Sequence, residues 1–341
     1  MRIIIVGFGV VGQSFARMLS LRSSELAKKY GVRPVIVAVV DKGGAAVDVK
    51  GINVDRLLST KRERGTVAAD PHHGRPELSA LEIINDAAAE VVVELTPTNI
   101  NDGEPGLSHI MAALKAEKHV ITTNKGPLAL AFPALQELAN HNRRLLRFSG
   151  AVGGGTPILD FAKKCLPGDA ILSVRGILNG TTNYILSKMA MERVSFDEAL
   201  AEAQRLGYAE RDPSMDIDGL DTACKLVIIA NCVMGLRVTL KDVRVEGIRK
   251  VTSKAVEEAA AKGYEIKLLG TINGALNVSP QLIPKGDPLC VNGVLNAVTY
   301  VSKYAGEETV IGRGAGGVET ASAILRDLIE IKRSLSQRYI D

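Results

Sequence analysis

The residue types best suited to chemistry lie together in residues 207–225, GYAERDPSMDIDGLDTACK. Five acids stand within twelve residues, and the segment ends on Lys225. The uncharged run that follows, 226–236, predicts a buried helix, with Asp221 and Lys225 one turn apart at its start. Burial disfavours a lysine's ammonium form and carboxylates favour it, so such a lysine can give up a proton. The excess of acids suits a cationic substrate group; an ordinary surface ion pair is the alternative.

A second polar segment, LNGTTNYIL at 178–186, is predicted to follow a strand and to begin a helix. Its hydroxyl and N–H groups could cap that helix or hold a ligand carboxylate at the positive end of the helix dipole. Every histidine precedes both segments, so proton donors there must be Lys, Asp, Glu, Tyr or Cys. The histidines, at 72, 73, 109, 119 and 141, lack the spacing of a zinc site.

A glycine turn between a strand and a helix stands at the start of the chain. Residues 2–6, RIIIV, predict a buried strand, and a helix is predicted from Gln13 to Tyr30. Glycines in such a turn let the backbone approach a pyrophosphate, which the helix N-terminus attracts. A glycine turn without a ligand is the alternative. The turn consists of Gly7, Phe8, Gly9, Val10, Val11 and Gly12.

Asp41 ends the next predicted strand, 35–40, and would distinguish the two nicotinamide cofactors. It lies 29 residues after Gly12, where about 20 is usual, and we attribute the difference to a longer first helix. Its carboxylate would bind a ribose 2′-hydroxyl and favour NAD, whereas Lys42, or Lys61 and Arg62 from a nearby loop, could bind a 2′-phosphate. NAD and NADP both stay open, as does a simple turn role for Asp41.

Further strands alternate with helices and predict a Rossmann-type doubly wound parallel sheet. A strand at 91–95 leads into a polar turn with Thr96 and Thr98, and residues 119–125 form the next strand and its exit turn with Asn124 and Lys125. Such sheets bind ligands at these strand ends. The glycine-dense segment 149–157 marks a domain junction. We expect a dinucleotide-binding domain at 1–150, an α+β catalytic and dimerisation domain at 151–305, and a C-terminal segment at 306–341 whose helix returns to the nucleotide domain.

The composition excludes several other classes of protein. A length of 341 residues suits two domains, and 46% hydrophobic with 23% charged residues is typical of soluble globular proteins. A net charge of +4, with 4% aromatic residues and no Trp, gives no sign of nucleic-acid binding. Four widely spaced cysteines fit a reducing cytoplasm, and no uncharged segment could cross a membrane.

Six segments make the chain resemble homoserine dehydrogenases over nearly its full length. The resemblance implies NAD(P)H-dependent reduction of L-aspartate 4-semialdehyde to L-homoserine, a step towards threonine, methionine and isoleucine. It also implies a homodimer, in a short form without regulatory or aspartate-kinase domains. The segments are GFGVVG at 7–12, TTNKGPLA at 122–129, SGAVGGGTPIL at 149–159, NGTTNYIL at 179–186, GYAERDPSMDIDGLDTACKL at 207–226 and GRGAGGVETASAILRDL at 312–328.

The same resemblance implies roles for individual residues. Lys225 would polarise the aldehyde oxygen and deliver the proton, with Lys125 assisting. A sodium ion would bind the backbone carbonyl of Val152, although Ser149 stands where the family commonly has an acidic residue. The substrate contacts would be Glu210, Asp221, Asp216, Tyr208, Gly180 and Thr181. The cofactor contacts would be the glycine turn from Gly7 to Gly12, Asp41, Thr96, Thr98, Lys125 and Gly316.

Other functions are compatible with parts of the sequence. Another NAD(P)-dependent amino-acid dehydrogenase would share the fold. A phosphorylating semialdehyde dehydrogenase would need a nucleophilic cysteine, but Cys224 and Cys232 fall in the predicted buried helix and Cys165 precedes a Leu-Pro turn. A non-catalytic NAD(H)-binding sensor would have no use for the lysine and acids of 207–225.

Overall fold

The computed structural model describes residues 1–337, and the chain forms two units. The first unit contains Met1–Ala151 and the chain from Gly316 onward, and the second is Val152–Ala315. The first change of unit falls within the glycine-dense segment. The second lies at 315/316 and not at 306 as expected, because residues 306–313 form a strand of the second sheet.

The first unit is built on a seven-stranded sheet. Its strands are β1 (Arg2–Val6), β2 (Val35–Asp41), β3 (Gly44–Val47), β4 (Gly74–Arg75), β5 (Val91–Glu94), β6 (His119–Thr122) and β7 (Leu146–Arg147). They lie in the order β4-β3-β2-β1-β5-β6-β7. The last five strands of that order pair in parallel, and β3 and β4 form an antiparallel edge. The predicted Rossmann-type sheet is therefore confirmed.

Helices connect these strands. They are α1 (Val10–Tyr30), α2 (Val54–Arg64), α3 (Ala80–Asp86), α4 (Gly106–Lys115) and α5 (Lys125–His141). Parallel strands need apolar residues on both faces because helices cover both, and the central strands β1 and β5 are almost entirely buried. Helix α1 has 21 residues, which accounts for the long spacing between Gly12 and Asp41.

The second unit contains a six-stranded mixed sheet. Its strands are β8 (Ile171–Ile177), β9 (Val243–Val245), β10 (Tyr264–Asn273), β11 (Ala275–Pro284), β12 (Leu295–Ser302) and β13 (Gly306–Arg313). They lie in the order β13-β12-β8-β10-β11-β9, and all neighbours are antiparallel except β11 and β9. Its helices are α6 (Ile158–Cys165), α7 (Gly180–Glu192), α8 (Phe196–Arg205), α9 (Ser214–Ile217), α10 (Leu220–Met234) and α11 (Ser253–Ala261).

Helix α10 packs directly onto the second sheet. A Cβ on Gly270 of β10 would lie 3.2 Å from the Leu226 side chain and 3.3 Å from that of Thr222, so the glycine permits a close approach. Most of α10 is buried, and it begins at Leu220, which includes both Asp221 and Lys225. The helix that the uncharged run predicted is therefore present and begins on the polar segment.

The C-terminal helix α12 (Gly317–Gln337) belongs to the first unit. Ser149 donates through its backbone N and Oγ to the fully buried carboxylate of Asp327 on α12, at 3.0 and 2.6 Å. The apolar side of the helix joins the core around β1 and α1, which confirms the predicted return to the nucleotide domain. That side consists of Ala321, Ile324, Leu325, Leu328 and Ile331.

The helices of residues 1–337 include none that is long and apolar enough to cross a lipid bilayer.

Replacing Leu328 by Ala tests how far α12 stabilises the first unit. Leu328 is fully buried, so we expect a loss of about 3 kcal/mol in the free energy of unfolding. The matched control is Val318→Ala on the same helix, where the side chain is 63% exposed and the expected change is within about 0.5 kcal/mol. Urea denaturation measures both, and equal effects would contradict the packing described.

Candidate active site

The glycine turn after β1 has the shape that a bound dinucleotide requires. Gly7 has a φ of 97°, and a Cβ there would lie 2.6 Å from the carbonyl oxygen of Leu95, just after β5. A Cβ on Gly12 would lie 2.4 Å from the Gly7 carbonyl oxygen. A Cβ on Gly9 would meet nothing within 4 Å, so the space beside this backbone is open. The first and third glycines thus permit close packing, and the second leaves room for a ligand.

The N-terminus of α1 carries no competing negative charge. Gly9 is its N-cap and offers no side chain to its N–H groups, and the first turn contains no acidic residue. Phe8 is buried and its carbonyl accepts from Gln13 Nε2 at 3.1 Å, whereas Val10 is 72% exposed. Exposed N–H groups at the positive end of a helix dipole favour an anion, so the turn fits the pyrophosphate of NAD or NADP.

Asp41 lies at the end of β2 as predicted, but its carboxylate is already bonded within the protein. Lys61 Nζ lies 2.7 Å from Oδ2, and Val67 N donates to the same oxygen at 2.9 Å. Thr66 Oγ1 and Gly43 N donate to Oδ1 at 2.7 and 2.9 Å. Burial acts to raise the pKa of Asp41, but these donors outweigh it and lower the pKa below its ordinary value.

The expectation that Lys61 and Arg62 lie in a loop is wrong, because both belong to the last turn of α2. Asn53 caps this helix by accepting from Arg56 N at 2.9 Å, and Gly65 ends it. A cavity of about 620 Å³ between α1 and α2 is lined in part by Lys61 and Arg62. Those two cations therefore lie on a surface that a ligand can reach.

A ring of hydrogen bonds joins the carboxyl ends of β5 and β6. The fully buried Glu94 accepts from Thr96 N at 2.9 Å, from Thr96 Oγ1, and from Thr122 Oγ1 at 2.9 Å. Asn124 N donates to Thr122 Oγ1 at 3.0 Å, and Asn124 Nδ2 donates to Thr96 Oγ1 at 3.2 Å. Asn124 also caps α5, which begins at Lys125. The ring thus brings two predicted site residues, Thr96 and Lys125, to one edge of the sheet.

The sequence reasoning missed Glu94, although an acid at the end of an apolar strand was an available signal. Of the remaining residues predicted to contact the cofactor, Thr98 is half-buried in the turn after β5, and Val11 is half-buried on α1. Gly316 immediately precedes α12 with a φ of 131°, and a Cβ there would lie 2.1 Å from Glu319 Oε2. Only glycine fits such a position without rearrangement.

Lys225 and Asp221 form a buried ion pair at the start of α10. Their side chains are 10% and 11% exposed, and Lys225 Nζ lies 2.7 Å from Asp221 Oδ2. Nζ also donates to the carbonyl oxygen of Leu178 at 2.6 Å, and the fully buried Asn296 donates to that oxygen at 3.0 Å. The burial excludes the alternative of a solvated surface pair. Two bonds fix the position of the ammonium group.

Asn179 connects this ion pair to Asp216. Its Nδ2 donates to Asp221 Oδ2 at 2.8 Å and to Asp216 Oδ1 at 2.6 Å, and its Oδ1 accepts from Thr182 N at 2.9 Å. Burial, followed by the nearby charge of Asp221, raises the pKa of Asp216 above its ordinary value. The sequence reasoning did not select Asn179, because an asparagine before a helix is typical of a cap.

The other predicted substrate contacts lie around the start of α7. Thr181 Oγ1 donates to the Tyr208 carbonyl oxygen at 2.7 Å, which ties the loop before α9 to α7. A Cβ on Gly180 would lie 2.9 Å from the carbonyl oxygen of Val294. Tyr208 and Glu210 are both exposed on that loop. The structure therefore brings Asp216, Asp221 and Lys225 together, but leaves Glu210 at the surface.

The cysteines and the backbone around Val152 are the remaining positions considered in the sequence analysis. Cys224 is fully buried on α10, and burial raises the pKa of Cys290, which disfavours its thiolate. Both features argue against a nucleophile at these two positions, and Cys165 is exposed at the end of α6. Within residues 1–337, no cluster of three or more His, Cys, Asp or Glu side chains could hold a metal. Val152 is fully buried, and Gly153 and Gly154 follow it with φ of 84° and 53°.

The first unit has a dinucleotide-binding sheet with an open glycine turn, and the second has a buried lysine among carboxylates. These features are typical of an NAD(P)-dependent oxidoreductase. Residues 7–149 match the family model "Homoserine dehydrogenase, NAD binding domain", and residues 157–329 match "Homoserine dehydrogenase". The chain belongs to the homoserine dehydrogenase family. Enzymes of this family are NAD(P)-dependent oxidoreductases that act on a CH–OH group, and the resemblance noted in the sequence is confirmed.

Individual relatives agree with this membership. The chain is 48% identical to the homoserine dehydrogenase of Methanocaldococcus jannaschii over 98% of its own length and 99% of the relative's. It is 36% identical to the NAD(+)-dependent homoserine dehydrogenase of Pseudomonas canavaninivorans, over 99% and 97% of the two chains. It superposes on a hyperthermophilic archaeal homoserine dehydrogenase in complex with NADPH with a TM-score of 0.86, at 27% identity and 98% coverage of both chains.

Proposed function

We propose that Lys225 is the proton donor in the reduction of L-aspartate 4-semialdehyde to L-homoserine. The observation that carries this proposal is the buried ammonium group, fixed at 2.7 Å from Asp221 and 2.6 Å from the Leu178 carbonyl oxygen. A lysine ammonium has three N–H donors. Two are engaged by these partners, so the third remains for a substrate oxygen.

The chemistry follows from what a carbonyl reduction requires, a hydride at carbon and a proton at oxygen. NAD(P)H supplies the hydride when it is bound. The third N–H of Lys225 would bond the aldehyde oxygen, polarise the carbonyl group, and transfer a proton as negative charge develops on that oxygen. Asp221 then stabilises the ammonium form in which Lys225 begins each turnover. In the reverse direction Lys225 would accept the proton of the alcohol.

We propose that the acids beside Lys225 hold the substrate's amino group. Lys225 offsets the charge of Asp221, whereas the half-buried Asp216 accepts from neutral donors such as Asn179. Burial makes its ionised form costly, and a substrate ammonium would favour that form. Tyr208 and Glu210 would add contacts from their loop. The N–H groups of Gly180 and Thr181, at the start of α7, would receive the substrate carboxylate.

The first unit would bind the cofactor at the carboxyl ends of its parallel strands. The glycine turn would receive the pyrophosphate, and Lys125 would be the second catalytic lysine. The Glu94 ring supports these roles because it fixes both Thr96 and the start of α5. The proposed contacts are Gly7, Phe8, Gly9, Val10, Val11, Gly12, Asp41, Thr96, Thr98, Lys125 and Gly316.

We further propose that the pairing of Lys61 with Asp41 allows both cofactors to bind. The carboxylate of Asp41 alone would repel a 2′-phosphate, but Lys61 Nζ, 2.7 Å away, offsets its charge. A ribose 2′-hydroxyl carries no charge, so its binding depends less on whether the charge of Asp41 is offset. The relatives differ in the same respect, since one is described as NAD(+)-dependent and another is in complex with NADPH.

We also propose that a sodium ion binds the backbone carbonyl oxygen of Val152. Val152 is fully buried, and the positive φ of Gly153 and Gly154 turns the backbone sharply at this point. Backbone carbonyl oxygens are ligands suited to hard cations. The family resemblance supports this proposal.

We further propose a cytoplasmic location, which the four widely spaced cysteines support.

We propose that two copies of the chain pair through one face of the second sheet. The opposite face lies under α6 and α10 and contains the buried residues Val174, Gly176 and Ile272. The pairing face is defined by polar, half-buried side chains on neighbouring strands, which a second sheet could cover. They are Ser173, Arg175, Thr271, Asn277 and Thr309.

Replacing Lys225 tests the proposed proton donor. Lys225→Ala is expected to lower kcat by roughly 1,000-fold and to leave NADH binding, measured by fluorescence titration, unchanged. Lys225→Arg keeps the positive charge but holds its proton too tightly, so it should also be slow. The matched control is Lys254→Ala, which removes a lysine from an exposed i, i+4 ion pair with Glu258. Wild-type activity in either Lys225→Arg or Lys225→Ala would refute the assignment.

Replacing Lys61 by Ala tests the cofactor proposal. Asp41 would then face a 2′-phosphate with its charge uncompensated, so the KM for NADPH should rise by about tenfold. The KM for NADH should stay within about twofold because its ribose is uncharged there. Arg64→Ala removes an exposed cation from the same turn of α2 and should leave both KM values unchanged. A proportional rise for both cofactors in Lys61→Ala would contradict the proposal.

The pairing of two copies is tested by mass. Analytical ultracentrifugation should give about twice the chain mass of 36.3 kDa. Thr271→Arg would place a long unpaired cation on the pairing face, and the cost of burying that charge between two chains should reduce the mass to that of one chain. Circular dichroism would confirm that the variant is folded. A monomeric wild-type chain, or a folded Thr271→Arg dimer, would rule out this surface.

A further inference from the structure

Asn179 makes more bonds than a helix cap requires. Asn179 is 4% exposed. Its Oδ1 accepts from both Thr182 N and Thr182 Oγ1, at 2.9 and 3.1 Å. The cap is complete with these two bonds. The other half of the amide faces away from the helix end and donates to Asp216 and Asp221.

The geometry of the amide group determines where the two carboxylates lie. An amide nitrogen carries two hydrogens in the plane of the group. Each has its own acceptor, Asp216 Oδ1 at 2.6 Å and Asp221 Oδ2 at 2.8 Å. Since the carbonyl end of the same amide is fixed by α7, the positions of both acids are tied to the start of that helix. Two neighbouring carboxylates repel each other, and a shared donor offsets this repulsion.

The bonds close into a ring around the ammonium group of Lys225. Asp221 Oδ2, which accepts from Asn179, also lies 2.7 Å from Lys225 Nζ. The carbonyl oxygen of Leu178, one residue before Asn179 in the chain, accepts from the same Nζ at 2.6 Å. The dipeptide 178–179 therefore contacts Lys225 twice, directly through a backbone oxygen and indirectly through Asp221. The direction of the third N–H depends on both contacts.

We propose that Asn179 is a positioning residue that aims Lys225 at the substrate carbonyl, by holding Asp221 and Asp216 with its two amide hydrogens. The inference rests on the proposed role of Lys225 as proton donor. Asn179 itself transfers no proton, and its contribution requires an amide donor rather than any polar cap.

Asparagine and aspartate are equally good helix caps, so Asn179→Asp separates the two roles. The variant keeps an acceptor for Thr182 N, but it replaces both donors by a third negative charge beside Asp216 and Asp221. We expect kcat to fall on the order of 100-fold and the KM for aspartate semialdehyde to rise about tenfold. The KM for NADPH should change by less than about twofold, because the cofactor contacts proposed above lie in the first unit. The third carboxylate is buried beside two others, so the temperature of unfolding should also fall by a few degrees.

Asn53→Asp is the matched control, because Asn53 caps α2 through Oδ1 at 2.9 Å from Arg56 N. It should leave all kinetic constants unchanged, which shows that the exchange is harmless at an exposed cap. Full activity in Asn179→Asp would overturn the inference and reduce Asn179 to a cap. A parallel rise in both KM values would also overturn it, since that pattern indicates a structural defect that is not confined to the substrate site.

Lys225→Arg, assayed in the same series, distinguishes a failure of the proton donor from a failure of the positioning role. A slow Lys225→Arg beside a fully active Asn179→Asp would leave the proton donor in place and refute only the positioning role. If Lys225→Arg were as active as the wild type, the proposed function of Lys225 would fail first, and with it the inference about Asn179.

Discussion

The second unit depends on one constraint, that the ammonium group of Lys225 is removed from water and must be compensated there. A buried cation without partners is among the most unfavourable features a protein can contain. Here Asp221 supplies charge and the Leu178 carbonyl oxygen supplies an acceptor. Both partners must arrive at the same point, which requires α10, the end of β8 and the start of α7 to be held in register. The sheet beneath α10 provides that register through the close contact at Gly270.

The first unit depends on close backbone contacts, and for that reason its fold could be predicted from the sequence. Gly7 and Gly12 are adjacent to backbone oxygen atoms at distances that no larger residue could accept. Buried parallel strands such as Ile3–Val6 leave continuous apolar runs. Local patterns of this kind follow from the chain itself, so the nucleotide-binding sheet, α1 and the returning helix could all be predicted. The short edge strands β3 and β4 carry no such pattern and were not.

The parts that could not be predicted are contacts between residues far apart in the chain. The bonding of Asp41 to Lys61 and Thr66 depends on where α2 packs, and no local signal gives that position. The two donors of Asn179 meet acids 37 and 42 residues away. A strand that pairs only with its hairpin partner, as β13 does with β12, also carries little pattern of its own, so the boundary between the units was placed too early. The sequence indicates residue types and a partner one helical turn away, as for Asp221 and Lys225, but not partners far along the chain.

The two acids beside Lys225 have unequal environments and therefore different roles. Asp221 is neutralised by the lysine, whereas Asp216 is half-buried, which raises its pKa, and it bonds an amide instead of a cation. A substrate ammonium group beside Asp216 would form a second ion pair there. That pair would offset the unfavourable burial of the ionised carboxylate. Recognition of the substrate's amino group would then be strongest where the enzyme's own charge is least compensated. The same binding would leave the Lys225–Asp221 pair intact for the transfer of the proton.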